Sequence, residues 1–196
     1  MDASPPLSTP RSSNSVVWIL TTFVIAGILA LVGIRYFSSR GIQNEKSASA
    51  ALKMIAAAEA NFRGYDREGN GVQDFWTADV DGLADVALLP VEIGSADPSR
   101  PGARPYHGYW FMAMDLDENG NAYRQDTGGR GTAGRQLYNH NKFGFTAYPA
   151  DYGWSGKHTY RINEGNGIFR ANLEGKPLLR WPPDDRSNPQ YSASPR

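Results

Sequence analysis

The chain has 196 residues, with 20 Lys and Arg against 20 Asp and Glu, and it has no cysteine. That length suits one domain with appendages, and the cancelled charge provides no global field toward nucleic acid or acidic lipid. Without cysteine, disulfides, thiolate catalysis and cysteine-ligated metals are excluded.

Residues 1–15, MDASPPLSTPRSSNS, are rich in Pro and Ser and read as a disordered tail. The run from Val16 to Ile34 carries no charge and only two Thr. About 20 apolar residues cross a bilayer core of about 30 Å, so a single transmembrane helix is expected over 16–36. Trp18 and Tyr36 fall near its ends, where amphipathic aromatics favour the interface. A cleaved signal would have a shorter apolar core ending in small residues. Here Arg35, Tyr36 and Phe37 follow the run.

From Ser47 the sequence reads SASAALKMIAAAEANF, dense in Ala, the best helix former. Ala48, Ala51, Leu52, Ile55 and Phe62 recur at spacings of three and four. They form an apolar stripe whose one polar member is Glu59. One long helix from about 15 to 63 is expected, kinked at Gly41 and stopped by Gly64. Beyond it, turns and short strands alternate. Val80–Leu89 reads as a short helix and Asp97–Pro105 as a Pro/Gly loop. Tyr106–Met114 suits a strand buried on both faces. Phe143–Pro149 and Lys157–Asn163 alternate as strands do, and EGNG turns the chain into IFRANL. Residues 37–175 are thus expected to be an α+β domain, with three or four antiparallel strands covered by the helix. Residues 176–196 read as a mobile Pro-rich tail.

Two loops space oxygen-bearing residues as calcium loops do. In MDLDENGNAYRQD, Asp115, Asp117, Asn119, Asn121 and Asp126 take positions 1, 3, 5, 7 and 12, with Gly120 at 6. In YDREGNGVQDFW, Asp66, Glu68, Asn70 and Asp74 take 1, 3, 5 and 9, with Gly71 at 6. A bound calcium would be structural. The competing reading is a pair of tight turns, which call for the same Asp, Asn and Gly. His107, His140 and His158 lack metal-ligand spacing, and no Gly-x-Ser-x-Gly elbow is present. TGGRGTAGR lacks the Gly-Lys-Ser/Thr of a phosphate loop. Tyr106, Tyr109, Trp110 and Phe111 suit core packing better than base or sugar stacking. No enzyme, nucleic-acid partner or small-molecule substrate is expected.

NEKSASAALKMIAAAEANF followed by Gly64, Tyr65 and a loop resembles type IV pilins and the pseudopilins of type II secretion. FGFTAYPADYGWSGKHTYRINEGNGIFRANLEG is similar to the ending of an uncharacterised bacterial family of pilin-like proteins. The resemblance implies a helix, half in the membrane and half amphipathic, packed on a small antiparallel sheet. It implies a structural calcium beside the sheet, and oligomers, with itself or other chains, through the N-terminal helix. It also implies anchorage in the cell inner membrane, with the C-terminal domain extracytoplasmic. Arg35, Arg40 and Lys46 would by themselves favour the opposite orientation. The run RSSNSVVWILTTF has no Gly before it and no acidic residue within it, unlike a processed pilin. A permanently anchored structural or assembly component is therefore expected. The alternative is a membrane-tethered binding module for a polysaccharide or a protein.

Overall fold

The computed structural model describes the backbone of residues 14–183 and 192–193, and the side chains of 18–29 and 39–183. The tail expected over 1–15 lies, but for its last two residues, outside this range. So does most of the segment beyond Pro183. The chain divides into two compact units, 1–38 and 39–196. Helix α1 is assigned from Asn14 to Tyr65. In the first unit, Trp18, Phe23, Leu29 and the other large apolar side chains between them all face outward, Phe23 with 73% of its surface exposed. Among the described residues no helix is long and apolar enough to cross a membrane. The span expected at 16–36 runs into residues 30–38, whose side chains lie outside the description.

The second unit is α+β. After α1 come β1 (Phe75–Trp76), α2 (Asp81–Asp85), α3 (Val91–Gly94), β2 (Tyr109–Ala113), β3 (Tyr138–Asn139), β4 (Gly144–Pro149), β5 (Thr159–Asn163), β6 (Phe169–Ala171) and β7 (Ser192–Ala193). Five strands form one antiparallel sheet in the order β2-β4-β5-β6-β7, and β1 pairs with β3 in a second. Strand register sets the faces. Ala113 lies opposite Phe145 and Phe145 opposite Ile162, while Phe111 lies opposite Ala147 and Ala147 opposite Tyr160. All of these join one buried cluster with Ala48, Ala51, Leu52, Ile55 and Phe62. The apolar stripe of α1 therefore meets the sheet at the residues its spacing predicts. Leu52 and Ile55 are fully buried.

The other face of the sheet is also covered. Thr146 and Arg161 lie opposite one another there. Arg161 sits over the rings of Phe169 and Trp181, at 5.1 and 4.8 Å from their centroids. Trp181, Met114 and Tyr123 form a second buried cluster, with Leu178 and Phe169 against it. The segment expected to be a mobile tail is thus anchored as far as Trp181. Its backbone pairs with the chain after β2: the Asp115 N–H donates to the Leu179 carbonyl at 2.8 Å, and the Trp181 N–H to the Leu116 carbonyl at 2.8 Å. The reason is apolar surface, since Met114 and Tyr123 would otherwise be wet.

Three further expectations shift in detail. α2 covers five residues of the expected helix at 80–89. β2 alternates between buried and half-buried, because only Tyr109, Phe111 and Ala113 face the core. Along its outer edge, the N–H groups of Tyr109 and Phe111 already donate to the Tyr106 and Ala96 carbonyls. At the far side of the sheet, β7 is two residues long. Helix α1 ends one residue past Gly64, where Asp66 takes the left-handed φ of 45°. Asp tolerates that conformation better than most residues.

Candidate functional site

The loop after α1 turns on Asp66. Its carboxylate accepts the N–H of Asn70 at 3.0 Å and that of Gly71 at 2.9 Å. Both of its oxygens are thus committed to closing the turn, with Gly69 and Gly71 in the left-handed region. Glu68 and Asp74 point elsewhere. They join Glu59, the polar member of the α1 stripe, which lies in the last two turns of that helix.

Each of these three carboxyl groups has one oxygen held by a donor. The Trp76 N–H donates to Glu59 Oε2 at 2.9 Å. Asn70 Nδ2 donates to Glu68 Oε1 at 2.7 Å, and Thr127 Oγ1 to Asp74 Oδ2 at 2.5 Å. The second oxygen of each, Glu59 Oε1, Glu68 Oε2 and Asp74 Oδ1, is buried with no partner. Glu59 is fully buried and Asp74 nearly so, at 0% and 1% exposure. Among the described residues none of the three forms an ion pair.

Electrostatics follows from that crowding. Burial holds the Glu59 carboxyl well above its usual range against the opposing bond from Trp76, and the charges of Asp74 and Glu68 raise it further. Glu68 is pushed up to about 8, first by burial and then by the neighbouring Asp74 carboxyl and the charge of Asp66. Two carboxylates this close repel unless one carries a proton, so the pair favours protonation. Beside Glu68 opens a cavity of about 360 Å³, lined also by Trp76, Asp79, Asp81 and Asp85.

The second loop is arranged otherwise. Asp117 Oδ1 accepts the N–H groups of Asn119 and Asn121, and Oδ2 accepts Lys142 Nζ at 3.0 Å. Burial works to raise this carboxyl, but Lys142 and the Asn121 and Asn119 donors outweigh it and hold it low. Asp115 pairs with Arg124 at the surface. Asp126 accepts the N–H groups of Gly128 and Gly134, so the Gly-rich loop closes round its own carboxylate. The backbone N–H of Asn119 and the side-chain amide of Asn121 serve the turn. Among the described residues, no group of three or more Asp, Glu or His side chains is drawn together tightly enough to hold a metal ion as it stands.

Another carboxylate, Glu45, ties the start of the second unit's part of α1 to β5. Its Oε1 accepts the N–H of Lys157 at 2.9 Å and faces His158 Nδ1 at 3.0 Å, while Oε2 accepts the Tyr160 hydroxyl at 3.0 Å. Next to it, Asn44 Nδ2 donates to the Ser155 carbonyl. These contacts position the loop that carries Tyr152 and Trp154, both exposed. Of the residues singled out by spacing, the structure brings Glu68 and Asp74 together and leaves Asp66 and Asn70 as turn formers. Spacing missed the role of Glu59. Its signal was present as a lone carboxylate in an apolar stripe. No protein family, curated protein or solved structure matches the chain.

Proposed function

We propose that the chain is a membrane-anchored, pilin-like structural or assembly component of a secretion or pilus-type system. On this reading α1 is one helix with two jobs: its first half sits in the cell inner membrane and meets neighbouring copies or partner chains, and its second half carries an extracytoplasmic α+β unit. The observation that supports it most is the exposed apolar surface from Trp18 to Leu29. Such a surface is unfavourable in water and needs lipid or other helices around it. The packing of Leu52, Ile55 and Phe62 against a small antiparallel sheet accords with the same reading.

Because the chain has no cysteine, introduced thiols report contacts cleanly. Ile28→Cys in membranes should give disulfide-linked dimers on mild oxidation, while a cysteine at exposed Glu174 should not. Recovery of the unlinked chain in the soluble fraction would overturn the proposal. A second reading, a tethered binding module, draws on the exposed ring pair Tyr152 and Trp154, since aromatic faces stack on sugars. It predicts a detergent-solubilised monomer whose glycan binding disappears in Trp154→Ala.

A further inference from the structure

The loop 151–156 holds two aromatic rings out of the core: Trp154 is 65% exposed and Tyr152 44%. Its backbone is closed tightly. The Trp154 and Ser155 N–H groups donate to the Asp151 carbonyl, and the Gly153 N–H donates to that of Gly156. Ser155 Oγ accepts the Asp151 N–H at 3.0 Å, and Gly153 takes the left-handed φ of 85°. At the base of the loop a Cβ on Gly156 would collide with the Tyr109 hydroxyl. A loop tied down in this way keeps its apolar rings on display.

Its place along α1 is fixed as well. Asn44 Nδ2 donates to the Ser155 carbonyl at 3.0 Å, and Glu45 accepts the Lys157 N–H at 2.9 Å. The Trp154 carbonyl lies 4.0 Å from where a Cβ on Gly41 would stand. The rings are thus strapped to the first turns that α1 contributes to the second unit, where Ile42 is also exposed. On the membrane-anchored reading, Tyr36 marks the interface, and Gly41 follows it by five residues. Five residues of helix rise about 7–8 Å, and even fully extended they reach no more than about 18 Å. On that reading the rings lie at the membrane end of the α+β unit, within reach of the headgroup layer.

We infer that Tyr152 and Trp154 form a lipid-contacting surface that dips into the headgroup layer and holds the α+β unit against the membrane. The inference rests on the anchored reading and goes beyond it, since a tether alone does not fix the height of the unit. Tyr and Trp suit this place because each joins an apolar ring to a hydrogen-bonding group. Charge contributes little. The two segments carry Arg40, Lys46 and Lys157 against Glu45 and Asp151, close to balance. Contact therefore depends on the rings and needs no anionic lipid.

The test uses the full chain in phosphatidylcholine vesicles, with a nitroxide on single introduced cysteines, which a chain without cysteine permits. Collision with oxygen, which favours lipid, and with a nickel chelate, which favours water, reports the depth of each label. Ile28→Cys samples the bilayer and Tyr152→Cys the loop. Tyr65→Cys, 24 residues and about 36 Å of helix beyond Gly41, samples water. All three side chains are exposed, so none of the changes opens the core. Nickel collision at position 152 is expected to be severalfold below that at 65, with oxygen collision above it. Adding Trp154→Ala to Tyr152→Cys should move both values toward those at 65. A label at 152 as open to nickel as that at 65, with position 28 deep, would overturn the proposal and leave the anchor standing. The rings would then fall to the tethered binding module. A label at 28 open to nickel would refute the anchor itself and the proposal with it. Depth at 152 that is unchanged by Trp154→Ala would also overturn the proposal, by assigning the contact to other residues.

Discussion

Two glutamates on one helix show how environment assigns opposite roles to one residue type. Glu45 accepts the Lys157 N–H and the Tyr160 hydroxyl and faces the His158 ring, and together these outweigh burial and hold its carboxyl low. Glu45→Ala would leave the Lys157 N–H and the Tyr160 hydroxyl without an acceptor, a loss of about 1–3 kcal/mol. Hydrogen exchange should show the amides of 157–160 opening first. Glu59 and Glu68 behave in the reverse sense. A carboxyl whose folded pKa is raised binds its proton more tightly in the folded chain. Its stabilisation is full below the unfolded value of 4.5 and is lost as pH climbs through the folded value, about 8 for Glu68. In chelator, denaturant midpoints should therefore fall between those limits, and Glu68→Gln should flatten the decline. A flat profile in the unmutated chain would contradict the crowding described above. Ile55, fully buried against the sheet, supplies a third residue-scale expectation. Ile55→Asp buries an unpaired charge and should lower unfolding free energy by several kcal/mol, measured by denaturant titration.

At the scale of elements, α1 beyond Ser47 and the strands β4 and β5 were legible because their periods are strong and local. Spacings of three and four place Leu52, Ile55 and Phe62 on one face, and alternation places Phe145, Ala147, Tyr160 and Ile162 on another. The C-terminal segment was not legible. Pro and charge dominate its composition, and its order depends on Trp181 finding Arg161 and Phe169, partners on strands distant in sequence. The candidate site was half legible for a similar reason. Glu68 and Asp74 lie in a suggestive loop, but Glu59 joins them only through the helix end, which no loop template contains. Trp181→Ala should cost about 3–5 kcal/mol, as loss of a large buried ring does. Truncation after Gly175 should do at least as much, and should expose Tyr123 to fluorescence quenchers.

For the whole molecule, the division near Ser39 separates a unit with its own buried core from a stretch of exposed apolar helix. A fragment beginning at Ser39 should melt cooperatively and stay monomeric by sedimentation. The full chain should need detergent or associate. Orientation has its own measurement: alkaline phosphatase fused after Arg196 should be active, and a stably expressed but inactive fusion would place the α+β unit in the cytoplasm. The edges of the main sheet bear on how copies can combine. Along β2 the outward N–H groups of Tyr109 and Phe111 are already used by the Tyr106 and Ala96 carbonyls, and β7 at the other side is only two residues long. A strand edge with most of its donors used is a poor template for a neighbouring strand. Many copies can then be concentrated side by side without their sheets fusing into a fibril. On the proposed reading, growth of an assembly would then rest on side-chain contacts between helices, which can form and come apart again, rather than on backbone ladders, which are far harder to dismantle.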